Sequence, residues 1–108
     1  MTLSPKETLL KARELISDPK RWTQESFARD GRGRSASIAN GVCFCSIGAI
    51  ASVAGTNLVR PVPDSILKLA GFKSHAEWAR FNDSHTHAEA LAVFDRAIER
   101  ASSPEPQP

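Results

Sequence analysis

The stretch Val42-Cys43-Phe44-Cys45-Ser46-Ile47-Gly48-Ala49-Ile50-Ala51-Ser52-Val53-Ala54-Gly55 decides the fold. A helix at a protein surface carries one apolar stripe, whereas this run is apolar on more than one face and so belongs inside a core. Gly55 closes it, as a glycine does where a helix ends in the left-handed conformation. The reading is a central, most buried helix from about Val42 to Ala54. Its small residues, Gly48, Ala49, Ala51 and Ser52, would let a neighbouring helix approach closely. At about 14 residues the run is too short to cross a bilayer.

Other helices are expected on both sides of it. Ser4, Pro5 and Glu7 make a capping box with proline at the first helical position, and Leu9, Ala12 and Ile16 follow at helical spacing. Pro19 ends that helix near Ser17. After the link Arg60-Pro61-Val62-Pro63, a short helix should run from Asp64 to Ala70 and stop at Gly71. Another should run from His75 to Phe81, capped by Ser74 with Glu77 at the third position. The last begins with the pair Thr86 and Glu89 and places Leu91, Phe94 and Ile98 on one face.

Between the first and central helices, Trp22 to Ala39 has no helical period. Ser26–Arg29 and Arg34–Ile38 read as short strands joined by Asp30-Gly31-Arg32-Gly33. Trp22 and Phe27 would anchor this excursion to the core. The expected fold is therefore mainly α: a compact single-domain helical fold over residues 1–101, with a small β-hairpin or irregular flap at about 22–39. Residues 102–108 are polar and proline-rich and are expected to be a disordered tail.

The totals agree. With 108 residues, 41% apolar and 24% charged, the chain fits one globular domain. A formal net charge of +2 is small for a dedicated nucleic-acid binder. The N-terminus has no apolar segment of the secretory kind. The C-x-C spacing of Cys43 and Cys45 suits reduced thiols better than a structural disulfide. The expectation is a cytoplasmic protein with no membrane association.

Three kinds of chemistry are conceivable. Cys43, Cys45, His85 and His87 could in principle supply four zinc ligands. Residues two apart on a helix point about 200° away from each other, however, so a helical Cys43 and Cys45 would not share an ion. No metal and no cofactor are expected. A thiol site is the second kind: Cys45 as nucleophile, His87 as its base, and Asp83 or Asn82 orienting the imidazole. A helix N-terminus would favour the thiolate. Third, Arg29, Arg32 and Arg34 could contact phosphates or a partner from an exposed turn. Each group also has a plain structural role, because free cysteine packs as a small hydrophobe and Asp83 and Thr86 suit turns and caps.

The stretches Leu10–Gln24, Phe27–Asp30, Cys45–Ile50, Phe81–Asp83, Thr86–Leu91 and Phe94–Ile98 together resemble a family of small bacterial and phage proteins of unknown function. The shared pattern runs ARELISDPxRWTQ, CxxGA, FND, THAEAL and FDRAI. The resemblance carries over to Cys45, Asn82, Asp83 and His87 rather than to Cys43 or His85. Ser84-His85 stands where a Gly-Arg pair is usual, and Phe44 where a tryptophan often precedes the cysteine. The resemblance implies a phage or mobile-element setting but no activity. With the small size and the lack of a strong catalytic signature, the expectation is a protein that binds a macromolecular partner, foremost a protein such as a host or defence complex, rather than an enzyme. The alternatives are a Cys–His thiol-dependent enzyme using Cys45 and His87, and a nucleic-acid-binding accessory protein.

Overall fold

The computed structural model describes residues 3–56 and 60–102. Its elements, in chain order, are α1 (Pro5–Leu15), β1 (Ala28–Arg29), β2 (Cys43–Phe44), α2 (Ser46–Ala54), α3 (Asp64–Ala70), α4 (His75–Ser84) and α5 (His87–Ser102). A single 3₁₀ turn at Pro19–Arg21 precedes β1, and another at Ile38–Asn40 lies between β1 and β2. This is a mainly α single domain. Among the described residues, no helix is long and apolar enough to cross a membrane. Within the expected tail, Ser102 is the last residue of α5, and 103–108 lie outside the described residues.

The helix starts follow from local chemistry. At α1 the Ser4 hydroxyl accepts from the Glu7 N–H while the Glu7 carboxylate accepts from the Ser4 N–H. At α5 Thr86 and Glu89 make the same reciprocal pair. Each satisfies donors that a helix start otherwise leaves unpaired. Gly71 ends α3 at φ 88°, and Gly55 ends α2 at φ 70°.

α1 lies between α2 and α5, α3 packs on α5, and α4 rests on α2. Every residue from Ser46 to Ala51 is buried, so α2 is the centre of the domain. Leu9, Ala12 and Ile16 from α1, Ile66 and Ala70 from α3, Trp78 from α4, and Val93, Phe94 and Ala97 from α5 complete one core. Full burial of each large side chain contributes about 1.5–3 kcal/mol.

Two expectations are corrected. The central helix begins at Ser46, not near Val42, because Phe44 is held extended. It pairs with Ala28 in the antiparallel sheet, and its carbonyl accepts from the Thr23 N–H. The principal strand partner of Ala28–Arg29 is therefore Cys43–Phe44 rather than Arg34–Ile38. The turn does close, with Asp30 Oδ1 accepting from the N–H groups of Arg32 and Arg34. Only the single bridge Arg29–Ser35 follows it, however, and Ile38 enters a 3₁₀ turn.

Gly48 marks the tightest approach. A Cβ there would stand 1.9 Å from the Phe27 carbonyl oxygen. The small residue at this position thus admits the Phe27 backbone just before β1, not a second helix.

Candidate functional site

Three of the stretches that carry the resemblance, Leu10–Gln24, Cys45–Ile50 and Phe81–Asp83, meet at Asn82. Trp78 and Asn82 lie one turn apart on α4 and share its buried face. The Asn82 side-chain oxygen accepts three hydrogen bonds: from the Ser46 N–H at 3.0 Å, the Ser46 hydroxyl at 2.8 Å and the Trp22 indole N–H at 2.8 Å. Its amide nitrogen donates to the Thr23 carbonyl at 3.0 Å and to Asp83 Oδ1 at 3.3 Å. Asn82 is 0% exposed, and both ends of its carboxamide are engaged.

The neighbouring groups extend this lock. The Gln24 side chain donates to the carbonyls of Asn82 and His85, at 3.0 and 2.9 Å. Asp83 Oδ1 accepts from the Glu25 N–H at 2.7 Å. Residues 22–25 are thereby strapped across the C-terminal end of α4. Glu25 adopts φ 64°, and it is the only non-glycine residue with positive φ among the described residues.

Cys45 is the N-cap of α2, and its sulfur accepts from the Gly48 N–H at 3.3 Å. Burial pushes its thiol up from the ordinary 9.0 to about 11. The Gly48 and Ile47 N–H groups pull the other way, and the Asp83 charge adds to the rise. Here desolvation outweighs the helix start that would otherwise favour a thiolate. Cys45 also lines a pocket of about 260 Å³ together with Glu25, Ser26, Phe27, Ala79 and Asp83.

His87 occupies a different place. Its Nε2 lies 2.7 Å from the Ile16 carbonyl, to which it donates, just past the end of α1. Its ring sits 5.4 Å from that of Trp22. Of the four residues proposed for a thiol site, the fold joins Asn82 to Asp83 and sets Cys45 in the same pocket as Asp83. Among the described residues, no hydrogen bond links Cys45 to His87. Trp22 contacts Asn82 through its N–H and His87 through its ring.

The remaining candidates are separated as well. Cys43 is in a strand, so the helical spacing assumed for it does not apply, and its sulfur faces the Arg29 carbonyl at 3.8 Å. His85 stacks on Phe81 with ring centroids 3.7 Å apart. Among the described residues, no group of three or more His, Cys, Asp or Glu side chains is arranged to hold a metal ion. Arg29 donates to Thr23 Oγ1 and to the carbonyls of Gln24 and Gly33. Arg34 pairs with Asp30 at 3.3 Å, and Arg32 is exposed on the turn. The three arginines therefore do not form one patch of equivalent side chains.

Three participants were missed in the sequence. Ser46 could have been suspected, since a hydroxyl inside the most buried run needs a partner. Gln24 and Glu25 carry no comparable signal, because their roles depend on a contact with α4 about 60 residues away.

Fold and site together define a small helical domain whose polar centre is a buried asparagine lock. The chain belongs to a family of unknown function (DUF6197), whose model matches residues 1–100. No curated protein and no solved structure matches it.

Proposed function

We propose that the protein acts by docking on a macromolecular partner, foremost a protein, and not by catalysis. The observation that carries this reading is how its chemistry-bearing residues are employed. Asn82 is saturated by the fold, His87 is committed to a backbone carbonyl, and Cys45 is buried with its thiol raised to about 11. A general base must reach the proton it takes, at about 3 Å. Leu10 and Val42 are exposed large apolar side chains that a docked partner would cover. The phage or mobile-element setting implied by the resemblance makes a host or defence complex the partner class to examine.

The test is affinity capture with the tagged chain from host lysate, with and without infection, followed by reconstitution from purified components. A defined complex should form and survive Cys45→Ser. It should weaken roughly tenfold with Leu10→Asp or Val42→Asp, the effect of losing one moderate anchor. Failure to recover any specific partner under either condition would count against the reading. Faster reaction of Cys45 than Cys43 with iodoacetamide at neutral pH, abolished by His87→Ala, would favour thiol chemistry instead.

A further inference from the structure

The segment over Cys45 combines a firm anchor with a strained residue. Residues 22–24 are held on α4 by the indole of Trp22, the carbonyl of Thr23 and the side chain of Gln24. Immediately after them, Glu25 sits in the left-handed region at φ 64°. A residue with a Cβ is disfavoured there. The backbone bond that keeps it in place runs from its N–H to the Asp83 carboxylate at 2.7 Å. Farther along, the Phe27 carbonyl accepts from the Cys45 N–H at 3.2 Å. Glu25, Ser26 and Phe27 form one wall of the pocket that ends on Cys45, a residue only 4% exposed.

We propose that residues 25–27 are a strained lid over the Cys45 thiol, opening as a local unit while the helices stay packed, with the Asp83 carboxylate as its latch. Opening relieves the strain at Glu25 and gives up a limited set of contacts: the Asp83 latch, the Phe27–Cys45 backbone bond, the Ser26 bonds to Ala28 and Ser35, and the packing of the half-buried Phe27 side chain against the core. The Asn82 lock stays intact behind it. Local opening of this kind requires less free energy than global unfolding. The lid admits small thiol-reactive molecules to Cys45 from the folded protein, independently of any partner.

The test is native-state labelling of Cys45 with a small aromatic disulfide in a Cys43→Ser background, at several low urea concentrations. Global stability is measured on the same variants by urea unfolding. Labelling is expected to be faster than global unfolding allows and nearly independent of urea. Asp83→Ala should speed it roughly tenfold beyond any change in global stability. Glu25→Gly should slow it roughly fivefold relative to Glu25→Ala, because only glycine removes the penalty at positive φ. The lid is refuted if labelling follows global unfolding with its full urea dependence. It is equally refuted if Asp83→Ala leaves the rate unchanged, or if the two Glu25 variants label alike.

Discussion

Trp22 donates its indole N–H to the side-chain oxygen of Asn82 at 2.8 Å, joining positions 60 residues apart in the chain. The same oxygen receives both donors of Ser46, so one carboxamide ties the strap, the start of α2 and the end of α4 together. A buried network with both ends satisfied specifies one arrangement of its members; a partly satisfied one is costly.

Removing the hub should therefore cost more than removing a spoke. Asn82→Ala would leave the Ser46 and Trp22 donors and the Thr23 carbonyl unpaired, and is expected to destabilise by about 3 kcal/mol or more. Ser46→Ala removes one donor while Asn82 keeps two others, and should cost about 1 kcal/mol. Urea unfolding of the two variants checks the order. Equal losses would mean that the hydroxyl carries the lock.

Two glycines should respond differently to alanine. At Gly48 the added Cβ would meet the Phe27 backbone oxygen at 1.9 Å, and backbone cannot rotate aside. Gly48→Ala is expected to cost about 3 kcal/mol. At Gly55 nothing lies within 4 Å, so only the φ of 70° is penalised, at about 1 kcal/mol. Thermal melts of both variants would show the difference.

The buried thiol makes stability depend on alkaline pH. Between about 9 and 11 the unfolded chain ionises Cys45 before the folded one does, so the folded state holds more protons. Stability from this group is fully present below about pH 9 and falls as pH rises towards 11. The loss is about 2–3 kcal/mol at most by the upper end. Denaturant titrations at pH 8 and pH 10.5 should show a larger drop for the wild-type chain than for Cys45→Ser.

The arginines separate structure from surface. Arg29→Ala removes contacts to Thr23, Gln24 and Gly33, and should destabilise by about 1–2 kcal/mol. Arg32→Ala, on the exposed turn, should change stability by less than about 0.5 kcal/mol. Any loss of nucleic-acid or partner affinity in Arg32→Ala would then report direct contact. Salt dependence of that affinity would show whether phosphates are involved.

What the sequence determined by itself is local. Ser4 with Glu7, Ser74 with Glu77, and Thr86 with Glu89 mark helix starts because a cap and its donors lie three residues apart. Gly55 and Gly71 mark helix ends because only glycine adopts positive φ freely. The unbroken apolar run around Ile47 and Ile50 identified the central helix for the same reason: burial is written in composition. Its first turn was misplaced because an apolar sequence suits a buried strand as well as a helix, and only the pairing of Phe44 with Ala28 decides between them. The candidate site needed the tertiary structure altogether. Cys45, Asn82, Asp83 and His87 could be singled out from the chain, but whether they form a reactive group or a lock depends on which partners reach them. Trp22, Gln24 and Ile16 reach Asn82 and His87 through packing of distant segments. Burial around Cys45, a property of the assembled core, sets its proton affinity.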